Sequence, residues 1–329
     1  MKKILIVLSM LLLLISCGKG KDKSDPLNLG GNKDDKKQSM SEIQKYNSYI
    51  GVYNDLLSLD GDINSYFEDA GDKEQFQKPN GSVSVNFSRV DDIMKKIKEA
   101  SSAKPAMAGV DKTSKDLVPV LEELLPLTQD MKAYYDGKDY TSDNYKKAQE
   151  FHTKFLAVVK KYDAAVLQFR AEMEKVIAVQ KEKEAKELQK AGRKIDYSKM
   201  QILSVSEEIL SEIRNQNLNG ANFTSGDPSK FKPLQEKLIN IVAEFQKVAR
   251  DPEQLKKEGY ESYKIDSFMR ETNDFKASVA NFVQRMEAKK KIDNFHLQNS
   301  FFLENEDGSP ENVVKSFNEL VGEYNSLNR

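Results

Sequence analysis

Reactive chemistry needs ionisable or nucleophilic side chains at workable spacing, and this chain of 329 residues offers few: one cysteine, two histidines and no tryptophan. His152 lies beside Ala148 and Phe155 at the edge of an apolar helical stripe. A zinc or haem site would want further His, Cys or carboxylate ligands at helical spacing, and no His-Glu-x-x-His pair occurs. Glu150 stands two residues from His152, which is poor placement on a helix face, so His152 reads as a hydrogen-bonded core histidine. His296, between Phe295 and Leu297, makes a weaker case. Asp136, Asp139 and Asp143 with Tyr140 gather acidity in one turn that could hold calcium. They miss the alternate-residue spacing of an EF-hand, as does the Glu304 to Gly308 stretch, and both read as turns and N-caps. There is no Gly-x-Ser-x-Gly elbow and no phosphate-cradling glycine loop. Neither a catalytic residue nor a cofactor or metal is expected.

One pattern repeats. Tyr46-Asn47 and Tyr53-Asn54 near one end of the chain are echoed by Phe317-Asn318 and Tyr324-Asn325 near the other, each with a glycine (Gly51, Gly322) at the same offset. Two readings follow from those residue types. The stripes could line a ligand or partner surface of aromatics and carboxamides, or they could be helix faces that pack with glycine at the close approach and asparagine at the rim. The packing reading is carried forward.

The elements that must position these residues begin with the first eighteen. Lys2 and Lys3 form a basic region, residues 4–15 an uncharged apolar run, and Leu14-Ile15-Ser16-Cys17 a small-residue cleavage site. The 12 apolar residues of that run make about 18 Å of helix, short of the ~30 Å hydrocarbon core, so the segment reads as a removable export signal. The pattern resembles the lipobox of bacterial lipoproteins, whose cysteine is lipidated before cleavage. Cys17 has no disulfide partner in the chain, which makes modification the economical fate of an exported thiol. Several acyl chains on Cys17, palmitate-like in length, would anchor the protein firmly, at about 0.8 kcal/mol per buried methylene. Gly18 carries no aspartate retention signal, so in a two-membrane cell the outer membrane is expected.

The chain carries 51 basic and 52 acidic residues, and loss of Lys2 and Lys3 leaves it near −3. That balance gives no concentrated basic face and no case for nucleic acid. Residues 17–39 are rich in glycine and charge and read as a flexible tether. Ser39-Met40-Ser41-Glu42 is a capping box that should start the first helix near Met40, with Ile43, Tyr46, Ile50, Tyr53 and Leu57 as its stripe. Val83, Val85 and Phe87 alternate and could form a short strand, and residues 100–114 read as a loop. The longest helix should run over 142–191, its charged end from Lys181 solvated. Ile265, Phe268, Thr272, Phe275, Val279, Phe282 and Met286 alternate by three and four and should form a central helix. Asp227-Pro228, Asp251-Pro252 and Ser309-Pro310 read as helix starts.

The expected architecture is therefore all-α: a signal peptide over 1–16, a lipidated tether over 17–39, and one elongated bundle of about seven helices over 40–329, its terminal helices packed close together. Lys45-Tyr46-Asn47-x-Tyr49-Ile50, Tyr134-Tyr135-Asp136, Asp139-Tyr140, His152 and Tyr324-Asn325 together resemble the YiiG-like family of bacterial lipoproteins, a domain of unknown function. The resemblance implies a helical envelope lipoprotein and supplies no activity. The functional expectation is a non-enzymatic binding or structural module, held to the membrane through its N-terminal lipid, with an envelope protein as partner. The alternatives are a surface-exposed host-interaction lipoprotein and a hydrolase or metal-dependent envelope enzyme.

Overall fold

The computed structural model describes residues 33–71 and 75–327, without the side chains of residues 33–41 and of Gln298 and Ser300. Cys17, the signal segment and most of the tether lie outside the described residues. What is described is all-helical, with eleven α-helices where about seven were expected. The long periodic segments account for α1 (Lys33–Ala70), α2 (Val90–Ser102), α3 (Ala108–Asp136), α5 (Lys146–Ala191), α6 (Lys194–Asn215), α7 (Lys232–Val248), α9 (Ser262–Glu287) and α11 (Pro310–Leu327). The surplus is α4 (Tyr140–Asp143), α8 (Pro252–Glu258) and α10 (Ser300–Glu304), each two turns or shorter and too brief to show a hydrophobic period. The chain divides into two compact units with the boundary between Val179 and Gln180.

In the first unit, α1 starts at Lys33, so 33–39 belong to a helix and the Ser39 to Glu42 capping box sits inside it. Lysine, frequent in this stretch, is a residue type that favours helix. The helix also runs unbroken through Asp60-Gly61-Asp62. Its buried face is Tyr46, Tyr49, Tyr53, Leu56, Ile63 and Tyr66, with Leu56 rather than Leu57 continuing the stripe. α2 packs on α1 and on α3, and Phe155, Tyr162 and Phe169 of α5 are fully buried in the same unit. The 82–87 segment is not a strand: Val85 and Phe87 are buried while Ser84 and Asn86 face out, and no second strand lies among the described residues to pair with it. Alternation there reports a two-sided environment without a ladder. α3 starts at Ala108, so much of the supposed 100–114 loop is helix, and Pro119 and Pro126 both lie inside it.

The second unit is built around α9. Phe268, Phe275 and Phe282 are fully buried along it, meeting Phe245 at 5.4 Å, Phe317 at 6.0 Å and Phe231 at 5.1 Å between ring centroids. α11 and α7 both pack on α9, and α6 packs on α7 and α11. The proline-marked starts divide in their outcome. Ser309 Oγ accepts the Asn312 amide at 2.9 Å at the head of α11, and Asp251 caps the short α8 rather than α9. Asp227 caps a single 3-10 turn, 228–230, before α7 begins. The charged end of α5 is not simply solvated: Leu188 is buried, and Lys181 forms a largely shielded ion pair with Glu207 of α6.

Candidate functional site

The echoed stripes lie in different units, so each is described within its own. On α1, Tyr46 and Tyr53 are buried, Asn47 is half-buried and Asn54 exposed. On α11, Phe317 and Tyr324 are buried while Asn318 and Asn325 face solvent. Helical spacing explains the split, because an asparagine one residue after a core aromatic is turned about 100° away from it. The glycines do not mark close approaches: a Cβ added at Gly51 or Gly322 meets nothing within 4 Å. The packing reading gives them that role, and the open space around both removes it.

Tyr53 and Tyr324 instead each lie against a cation. In the first unit the Arg170 guanidinium stands 5.6 Å from the Tyr53 ring centre and pairs with Asp60 at 2.6 Å. Tyr162 donates to the other Asp60 oxygen at 2.9 Å. About two turns before Tyr53 on α1, the buried Lys45 ammonium pairs with Asp111 at 2.7 Å and donates to the Ala103 carbonyl at 2.7 Å. Tyr49 donates to the same carboxylate at 2.5 Å, and the Met107 amide donates at 2.9 Å. Burial pushes the Asp111 carboxyl up, but these donors outweigh it and hold it below the usual carboxylate range. The Tyr49 phenol is pushed the other way, first by burial and then by Asp111. Lys45 and Tyr49 thus fasten the start of α3 to α1.

In the second unit the counterpart is Lys199 of α6, whose side chain is 1% exposed. Its ammonium donates to Tyr260 Oη at 2.6 Å and lies 3.3 Å from Asp196. The rings of Tyr260 and Tyr324 close over it at 4.6 and 5.0 Å. Tyr260 donates to Asp196, and Arg193 pairs with the same carboxylate. Glu258, at the end of α8, accepts the Ile195 and Asp196 amides at 2.8 and 3.0 Å and so satisfies the first turn of α6. Burial lowers the Lys199 pKa, with Asp196 opposing. Glu184, on the α5 end, is pushed up to about 7 by burial and then by the Asp196 charge. An amine with a depressed pKa beside a phenol and a carboxylate is the raw material of a nucleophile or general base. Here two aromatic faces, the Tyr260 hydroxyl and the Asp196 carboxylate enclose it, which makes a rigid joint of α6, α8 and α11.

The remaining sequence candidates each engage neighbouring side chains or backbone. His152 is buried, with Nδ1 3.3 Å from Tyr66 Oη and the rings of Tyr66, Phe67 and Phe76 within 6 Å. The acidic turn diverges: Asp136 pairs with Lys132 at 2.7 Å, while Asp143 accepts Tyr134 Oη at 2.8 Å and the Lys147 amide at 3.0 Å, capping α5. Among the described residues no three His, Cys, Asp or Glu side chains are placed to hold a metal ion. His296 Nδ1 lies 2.7 Å from Glu306. Sequence reasoning missed Lys45 and Lys199. The signal was there for Lys199, since Ile195, Lys199, Ile202 and Ser206 share one helical register that is otherwise core.

No curated protein and no solved structure matches the chain. A family model described as "Protein of unknown function (DUF3829)" matches residues 40–326, running through both units. The chain belongs to the DUF3829 family.

Proposed function

We propose that this protein is a lipid-anchored lipoprotein of the bacterial cell envelope, YiiG-like in kind, whose helical region over 40–329 acts as a non-enzymatic binding or structural module. The observation that carries the reading is the N-terminal pattern: two lysines, a short apolar run, and Leu14-Ile15-Ser16 before the only cysteine. Two further observations support it. Among the described residues no helix is long and apolar enough to cross a membrane, so a lipid on Cys17 would supply the attachment. Two buried lysines, one in each unit, are engaged with acidic and phenolic partners, Lys45 with Asp111 and Lys199 with Asp196 and Tyr260, an arrangement suited to stiffness rather than turnover. The unbroken family match supports treating the two units as one functional region.

Intact-mass analysis of the protein extracted from membranes tests the anchor. The expected species lacks Met1–Ser16 and carries acyl mass on Cys17, and a Cys17→Ala variant loses that mass. An N-terminus still at Met1, with Cys17 unmodified, overturns the reading. Crosslinking in intact envelopes followed by mass spectrometry tests the module half, with an envelope protein as the expected partner.

A further inference from the structure

Among the described residues the exposed large apolar side chains are Leu167, Val179, Ile239, Tyr263, Phe295 and Phe301. Phe295 and Phe301, each 65% exposed, share a neighbour: Phe302 lies 5.1 Å from the first and 5.9 Å from the second between ring centroids. His296 stacks on Phe302 at 5.6 Å. The three phenylalanines therefore form one aromatic lobe with its outer rings in water. Such a lobe costs hydration free energy unless something covers it.

The lobe is held in place. Arg285, in the last turn of α9, donates Nε to the Lys290 carbonyl at 2.9 Å and Nη2 to the Lys291 carbonyl at 3.1 Å. Its Nη1 donates to Glu306 and to the Asp307 carbonyl, both at 2.6 Å. One guanidinium thus clamps the connection after α9 to the turn after α10. That connection exposes Lys289, Lys290 and Lys291 in succession. Of the acidic residues near it along the chain, Glu287 pairs with Lys232 and Glu306 with Arg285 and His296, whereas Asp293, Glu304 and Asp307 are exposed. Among the described residues the three lysine ammoniums are in no ion pair.

We propose that this lobe is a contact surface for an anionic lipid membrane. Phe295 and Phe301 would enter the boundary between headgroups and acyl chains, and the three lysines would lie against the lipid phosphates. The pairing of aromatic rings with adjacent cations is the composition that interfacial binding requires. The inference rests on the anchored reading for bringing the domain to a bilayer. It adds a second, reversible attachment far along the chain from Cys17.

The chain has no tryptophan, so Phe295→Trp installs a single indole as reporter, with Tyr263→Trp, at a site 66% exposed, as the control. Each full-length variant is reconstituted into vesicles with and without phosphatidylglycerol, the acyl chains brominated to quench buried indole. Expected for Trp at 295 are a blue shift and quenching in anionic vesicles only, both reversed by high salt. Each lysine contributes about a fivefold bias toward an anionic surface. Adding Lys289→Gln, Lys290→Gln and Lys291→Gln should therefore weaken contact about a hundredfold and bring quenching to the control level. Quenching at 295 equal to that at 263, or equal in zwitterionic vesicles, overturns the proposal. A blue shift that grows with protein concentration without lipid also overturns it, in favour of a second copy of the chain. If intact mass finds Cys17 unmodified, the anchor reading fails, while quenching at 295 still decides the lobe.

Discussion

Replacing Tyr324 by alanine tests whether the terminal stripe of the second unit is core. Tyr324 is 7% exposed, lies 6.2 Å from the Phe268 ring, and covers the Lys199 ammonium at 5.0 Å. Truncating a buried aromatic costs roughly 3–5 kcal/mol in lost transfer energy and cavity. The ring also contributes about 2 kcal/mol of cation–π attraction to a desolvated ammonium, a share that overlaps the first figure, so about 4 kcal/mol is expected. Against a stability of about 5–15 kcal/mol that is a large fraction. At about 2–4 °C per kcal/mol for a region of this size, the melting temperature should fall by about 8–16 °C. Urea melts of the full chain should move in midpoint with little change in slope. Tyr324→Leu keeps apolar volume without the ring quadrupole and should cost about 2 kcal/mol. A double-mutant cycle with Lys199→Met then isolates the cation–π coupling. Tyr53→Ala, against Arg170, is the matching test in the first unit. If both alanine variants melt within about 2 °C of the parent, the core assignment is wrong, and the stripes become the leading candidates for a binding surface.

Other outcomes follow from the same packing. Asp111→Asn leaves the buried Lys45 ammonium without its counter-charge and should cost about 3 kcal/mol in a denaturant melt; Lys45→Met alongside it should recover much of that loss. Glu184, held near 7 against an ordinary value of about 4.5, binds a proton more tightly folded than unfolded. Stability should therefore decline as pH rises from about 4.5 to about 7 and level off above, by about 2 kcal/mol after allowance for its partial exposure. Glu184→Gln should flatten that part of the pH profile. Gly51→Ala and Gly322→Ala, inside helices with open space at the Cβ, should each stabilise by about 0.5–1 kcal/mol. Gly308→Ala should do the reverse by about 1–3 kcal/mol, because its φ is +76° and the new Cβ would stand 2.8 Å from the Asn281 carbonyl oxygen.

Much of the helical architecture was legible in the order of residue types. The phenylalanine alternation of α9, the long stripe of α5 and the Ser309-Pro310 start of α11 each depend on near neighbours along the chain, which is the range over which periodicity and capping act. The same local logic turned Asn54, Asn318 and Asn325 to solvent, while Asn47 stays half-buried. It failed where the signal was too short or shared by two structures. Val83, Val85 and Phe87 alternate in burial as a strand would but lack a partner strand among the described residues. The seven residues of α8 and the five of α10 lie below the length at which a hydrophobic period can be seen.

By itself the sequence determined the helical class, the main helix registers and the absence of recognisable catalytic motifs. Only the tertiary structure decided which charges are inside. Lys45 meets Asp111 across 66 residues of chain, and Lys199 meets Tyr260 across 61. A lysine on a helix face is solvated by default, and its burial becomes tolerable only when a carboxylate, a phenol or an aromatic face arrives from another helix to replace water. That replacement depends on packing between distant segments: the local register sets Lys199 among core positions, but it does not name Tyr260 or Tyr324 as what replaces water there.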